Sequence, residues 1–145
     1  MTDNTKSHIE INIAQQRLTL LQGDQVLMQM PVSTAKNGPG ELLDSECTPR
    51  GLHEIHAKIG TGCEVNTVFV GREQTGEIYT PDLGGKNPDR DWILTRILWL
   101  GGLDEGKNLS GNVDTLQRYI YIHGCPDEEP IGVANSHGCI RIRNH

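Results

Sequence analysis

The sequence predicts a mainly β fold, a small mixed β-sandwich with little helix. Three observations carry this expectation. Only 35% of the 145 residues are hydrophobic and six are aromatic, while 17 glycines and seven prolines punctuate the chain. That is the composition of short elements joined by many turns rather than of a helical bundle. Apolar and polar residues alternate through the first thirty positions, which is strand spacing. Trp92–Leu100 is a near-continuous apolar run, as suits a strand buried on both faces. The length suits one domain, 1–145, with a single sizeable core.

The elements follow in order. Ile9, Ile11 and Ile13 alternate with polar neighbours, Leu18 and Leu20 repeat the pattern, and Val26, Met28 and Met30 repeat it after the Gly23-Asp24 turn. This predicts a three-stranded antiparallel meander with the methionines packed in the core. Residues 33–48 are rich in Gly, Pro, Asn and Ser and read as a long loop that could form a functional rim. Leu52–Lys58 and Val65–Gly71 read as the next hairpin, turning at Gly60-Thr61-Gly62, with a short strand over Thr75–Thr80. Pro81–Arg90 is a second turn-rich loop. Arg96 interrupts the Trp92–Leu100 strand, so it either faces outward or greets a substrate carboxylate. Gly101–Asn112 is a third loop, and Val113–Gln117 makes at most a helical turn. Tyr119–Gly124 reads as a buried strand and Cys139–Arg143 as a short one, giving eight to ten strands in all.

Net charge is −6 with no Lys/Arg cluster. A nucleic-acid footprint needs a basic face, so nucleic acid is not an expected partner, and adhesion to anionic lipid is disfavoured too. No apolar run is long enough to span a membrane. The polar start, Met1–His8, shows no basic segment followed by an apolar one. No secretory signal is read there, so the expected compartment is the cytoplasm, or the periplasm if an export signal is missing from this sequence. In a reducing compartment the four cysteines, 47, 63, 125 and 139, are free thiols.

The chemistry concentrates at the C-terminal end. Cys139 lies in Ser136-His137-Gly138-Cys139-Ile140-Arg141, sixteen positions after His123. A cysteine attacks as thiolate and needs a neighbouring base. Gly138 removes a side chain beside the sulfur, so a carbonyl could approach backbone N–H groups, the usual donors of an oxyanion hole. Asn135, Ser136 and Gly138 are turn formers that open into the last strand.

His123-Gly124, a loop, then Ser136-His137-Gly138-Cys139-Ile140-Arg141 with Asn144 resembles the signature of the L,D-transpeptidase (YkuD-like) catalytic domain. Pro31-Val32-Ser33-Thr34 and Thr48-Pro49-Arg50-Gly51 resemble further family segments, so the resemblance extends over nearly the whole chain. It implies a mixed β-sandwich with the cysteine at the mouth of a groove. It also implies attack on the carbonyl between an L-configured centre and a D-residue of a peptidoglycan stem peptide. Carried over by position, Cys139 is the nucleophile and His123 the general base. The Gly124 carbonyl orients the imidazole, backbone N–H groups from His137 through Gly138 to Cys139 form the oxyanion hole, and Ser136 and Arg141 are supports or substrate contacts. No cofactor or metal is implied. Family domains usually continue through a helical segment and a closing strand, whereas this sequence stops at His145. A fragment, or a domain lacking that closing element, is therefore the expectation.

Three functions follow. The first is acyl transfer through a thioester on peptidoglycan stem peptides. With a cytoplasmic location the acceptor is water and the substrate a soluble muropeptide, which makes an L,D-carboxypeptidase; an amine acceptor makes a transpeptidase. The second is a zinc site from the pairs His123-x-Cys125 and His137-x-Cys139, although structural zinc motifs more often use Cys-x2-4-Cys knuckles. His53 and His56, three apart on a strand, face opposite sides and make a poor metal pair. The third is an inactive peptidoglycan-binding sandwich. Cys125, just after the candidate base, reads as a bystander, with a disulfide to Cys139 as the alternative.

Overall fold

A computed structural model describes residues 6–144. Residues 1–5 of the polar N-terminal stretch, and His145 where the sequence stops, lie outside the described residues. β1 (Ser7–Asn12), β2 (Arg17–Gln22) and β3 (Gln25–Pro31) form the antiparallel meander that the alternation predicts. Ile9 stands opposite Leu20 and Ile11 opposite Leu18. The methionines divide: Met30 packs into the core, while Met28 is half-exposed. β3 is an edge strand, and only its C-terminal end reaches the second sheet. Periodicity fixes a face but not how far along the strand that face is covered.

The second sheet has six strands. β4 (His53–Ile59), β5 (Thr67–Val70), β6 (Glu73–Ile78), β7 (Ile93–Gly102), β8 (Tyr121–Gly124) and β9 (Ile140–Ile142) are arranged β6-β5-β7-β8-β9, with β4 also on β7. The predicted hairpin between residues 52–58 and 65–71 is corrected here. β4 and β5 do not pair; they lie end to end along one edge of β7, Ile59 against Ile97 and Val68 against Leu94. The other edge of β7 carries β8. A ten-residue strand is long enough to seat two short partners, and it bulges at Thr95-Arg96, with Thr95 at φ 71°. The true hairpin is β5–β6, turning at Gly71-Arg72.

Three smaller corrections follow. Pro81–Lys86 is a short helix, α1, rather than loop, capped by Thr80 Oγ1 accepting from the Leu83 N–H with proline at its first turn, both ordinary helix-start chemistry. Gly101 and Gly102 belong to β7, and Gly111–Val113 forms a 3₁₀ turn. Tyr119 is left-handed at φ 57° and precedes β8 rather than starting it. Among the described residues no helix is long and apolar enough to cross a membrane.

Strand alternation sorts the core onto two faces. Leu98 and Leu100 of β7, Ile120 and Ile122 at β8, and Ile140 of β9 pack against Leu18, Val32 and the meander. The opposite face carries Ile97 and Trp99 of β7, Phe69 of β5, Tyr121 and Cys139. The chain leaving β3 then crosses to the second sheet. Ser33 pairs antiparallel with Arg141, each N–H donating to the other's carbonyl at 3.0 and 2.8 Å. β9 is thus held on both edges, by β8 and by Ser33.

Candidate active site

β8 and β9 run parallel with Ile122 against Ile140 and His123 against Arg141. Register neighbours share a face, and so do residues two apart on one strand. Cys139, one position before β9, therefore lies beside Tyr121 on the face that also holds His123. The sulfur confirms the placement: the Tyr121 N–H points at Sγ at 3.4 Å, and the Tyr119 carbonyl lies 3.6 Å from it.

His123 is 1% exposed. Its Nδ1 is 2.7 Å from the Gly124 carbonyl oxygen. A carbonyl can only accept, so Nδ1 carries the proton and the lone pair of the neutral ring is on Nε2. That Nε2 is buried and has no hydrogen-bond partner among the described residues. Burial holds the imidazole below its ordinary value, with the Gly124 carbonyl pulling weakly the other way, so the ring is neutral at pH 7. Cys139 is partly exposed as a residue, yet protein packs closely around its sulfur. Burial pushes the thiol up to about 12, opposed by the Tyr121 N–H, so the thiol too is neutral at pH 7.

The turn before Cys139 is braced from inside. Ser136 Oγ donates to the Cys139 carbonyl at 2.6 Å and accepts from the Gly138 N–H at 3.2 Å. One of the three expected oxyanion donors, the Gly138 N–H, is therefore committed to Ser136. Gly138 adopts φ +132°, and a Cβ there would press on Ile120 Cδ1 at 3.1 Å and the Cys47 carbonyl at 3.3 Å, so glycine is required on two counts. Thr48 Oγ1 donates to the Gly138 carbonyl and accepts from the Ala35 N–H, both at 2.9 Å. In this way the loop over 33–48 is fastened to the turn.

Ser136 and Arg141 are buried and make their hydrogen bonds within the protein. Arg141 pairs with Asp91 at 2.9 Å, an aspartate the sequence reading missed because nothing local marks it. Asp91 also lies 3.7 Å from the exposed His137 ring. Asn144 accepts from Thr95 Oγ1 and donates to the Cys125 carbonyl, locking the end of β8 to the β7 bulge. Arg96 folds back over that bulge, partly buried, and its Nη1 donates to the Cys63 and Thr95 carbonyls. Cys125 is buried, its thiol raised to about 11 by burial and directed at the Ile142 carbonyl; all four cysteines are free thiols. No three His, Cys, Asp or Glu side chains converge as a metal site among the described residues.

The chain matches the family model described as the L,D-transpeptidase catalytic domain over residues 6–145. No curated protein matches it. Among solved structures it resembles that of Bdellovibrio bacteriovorus Bd1075, with a TM-score of 0.55 at 16% identity, over 97% of this chain and 41% of that one. It also resembles an L,D-transpeptidase from Mycobacterium smegmatis, with a TM-score of 0.50 at 21% identity, over 94% of this chain and 49% of that one. The chain thus spans less than half the length of either neighbour, and at these identities the likeness is one of fold. With the family model covering nearly every residue, the chain belongs to the L,D-transpeptidase catalytic-domain family.

Proposed function

We propose that the protein cleaves the bond between an L-configured centre and a terminal D-alanine in peptidoglycan tetrapeptide stems, with Cys139 as nucleophile and His123 as general base. The observation that carries this reading is the His123 ring. Its Nδ1–H is held by Gly124, while Nε2 is left buried, basic and unpartnered on the face that carries the thiol. An unpaired buried nitrogen is costly, and such an atom is well suited to receiving a proton during a reaction.

Nε2 takes the Sγ–H proton as sulfur bonds to the carbonyl carbon. The oxyanion is met by the N–H groups of His137 and Cys139, the Gly138 N–H being engaged by Ser136. The C–N bond then breaks, the imidazolium returns its proton to the leaving amine, and D-alanine departs from a thioester. Water, deprotonated by the same Nε2, releases the tripeptide and restores the thiol. Hydrolysis is the acceptor reading we put first, because it needs no second peptide bound beside the thioester; soluble muropeptides in the cytoplasm are the substrate form that suits it. Transpeptidation, named for the mycobacterial neighbour, uses the same thioester with an amine in place of water. Mass spectrometry after incubation with a disaccharide-tetrapeptide, with and without a D-amino acid, tests the pair. The expected products are tripeptide and free D-alanine. Cross-linked dimers as the main product would replace hydrolysis by transpeptidation, and no acylation of Cys139 in folded protein would remove both.

A further inference from the structure

Resting on the acyl-transfer reading, the structure says more about which donor the site accepts. Arg72 is the second of the two residues that turn β5 into β6, where Gly71 takes φ 58° and Arg72 φ 67°. Two positive φ values make a type I′ turn, whose second position strongly favours Gly or Asn. An arginine there is strained. Its side chain lies over an aromatic wall: Cζ is 5.0 Å from the Trp99 ring centroid and 4.5 Å from that of Tyr119. Nη1 donates to the Tyr121 hydroxyl at 3.0 Å. The same two tyrosines hold the nucleophile through their backbones, Tyr121 by its N–H and Tyr119 by its carbonyl. Arg72 therefore touches, through their rings, the two tyrosines whose backbones contact Sγ.

The charge of Arg72 is not met by a carboxylate. Among the described residues no carboxylate lies within ion-pair distance of it. The two cations whose charge reaches Cys139 are engaged within the protein: Arg141 with Asp91, and Arg118 with the Gly40 and Cys47 carbonyls. Arg72 lies against aromatic faces with one of its five donors used. The rest of the planar fork is open to a carboxylate, which it can bind with two parallel hydrogen bonds. Aromatic neighbours also displace water, which strengthens such a pair.

We propose that Arg72 is the carboxylate-binding residue of the site and receives the free terminal carboxylate of the leaving D-residue. The site then selects acyl donors that end one residue beyond the attacked carbonyl. Longer stems, or stems blocked at that carboxylate, present no anion at this point.

The test has a binding arm that needs no turnover. N-acetyl-D-alanine and N-acetyl-D-alaninamide are titrated into Cys139→Ala protein, following the Trp99 indole N–H by NMR. The acid is expected to shift this resonance saturably and the amide not, and Arg72→Asn, which suits the left-handed turn position, should abolish the acid's effect. The second arm compares tetrapeptide stems with free and amidated C-termini. The free acid should be preferred about ten- to a hundredfold in kcat/KM, the scale of one charge-assisted contact, and Arg72→Asn should bring the ratio near one through KM. Equal binding of acid and amide, no binding of either, or a response unchanged by Arg72→Asn would overturn the proposal. Failure of Cys139 to form a thioester with either stem belongs to the acyl-transfer reading instead, and is read separately by intact mass.

Discussion

A buried imidazole with its lone pair on Nε2 and a thiol pushed up to about 12 describe a neutral pair rather than a stored thiolate–imidazolium. Proton transfer then accompanies attack. Alkylation of Cys139 by iodoacetamide at pH 7 should be slower than in the unfolded chain, whose thiols titrate near 8.5. A fast reaction that His123→Gln abolishes would show an ion pair instead. Because burial depresses His123, the acid limb of kcat/KM should fall below pH ~6.5, as protonation removes the base. Cys139→Ala should end turnover, while Cys47→Ala, Cys63→Ala and Cys125→Ala keep most of it. His123→Gln should cost about a hundredfold or more, and His137→Ala much less, since alanine keeps the backbone N–H. A carbapenem should add its mass once, on the peptide holding Cys139. Much of this site was legible in the sequence because it lies within one contiguous motif and one histidine. Asp91 and Arg72 were not, for they arrive from other strands and turns with no local pattern to mark them.

At the level of elements, the active turn is held less by its own strand than by the segment over 33–48. Thr48 is the fastening, one hydroxyl joining the Gly138 carbonyl to the Ala35 N–H. Thr48→Val keeps the shape and leaves both partners unpaired, so it should cost about 1–3 kcal/mol in urea unfolding. Turnover of folded protein should fall as well, and wild-type rates in that variant would show that the turn stands unaided. Individual strands were legible from alternation, and so was the pairing of the meander, but the partners within the second sheet were not. β4 and β5 carry apolar patterns compatible with pairing each other, and a Gly-rich link between them looked like a hairpin turn. What decides otherwise is the length of β7, which gives each a better covered partner. Such competition between long-range pairings leaves no trace in a local window.

Across the whole molecule, the face that carries the candidate site and the face packed on the meander are opposite sides of the same strands. Ile120 and Ile122 sit in the core while Tyr121 and His123 line the site. Stability and the site's protonation are therefore coupled. The folded pKa of His123 lies below its unfolded value near 6.5. The folded state consequently binds fewer protons, and its stability is full above pH ~6.5 and lost as pH falls toward the folded pKa. The urea midpoint should drop between pH 7 and 5, and His123→Gln should flatten that slope; an unchanged slope would place the burden on other groups. The reciprocal pair between Ser33 and Arg141 has a further, kinetic consequence. These two amides belong to segments more than a hundred residues apart, yet each is shielded only while the other is in place. In deuterated solvent they should exchange at a common rate if the meander and the catalytic edge open as one unit. If the edge strand frays alone, both should exchange early, well ahead of the β2 amides, timing the opening of the catalytic edge without any substrate present.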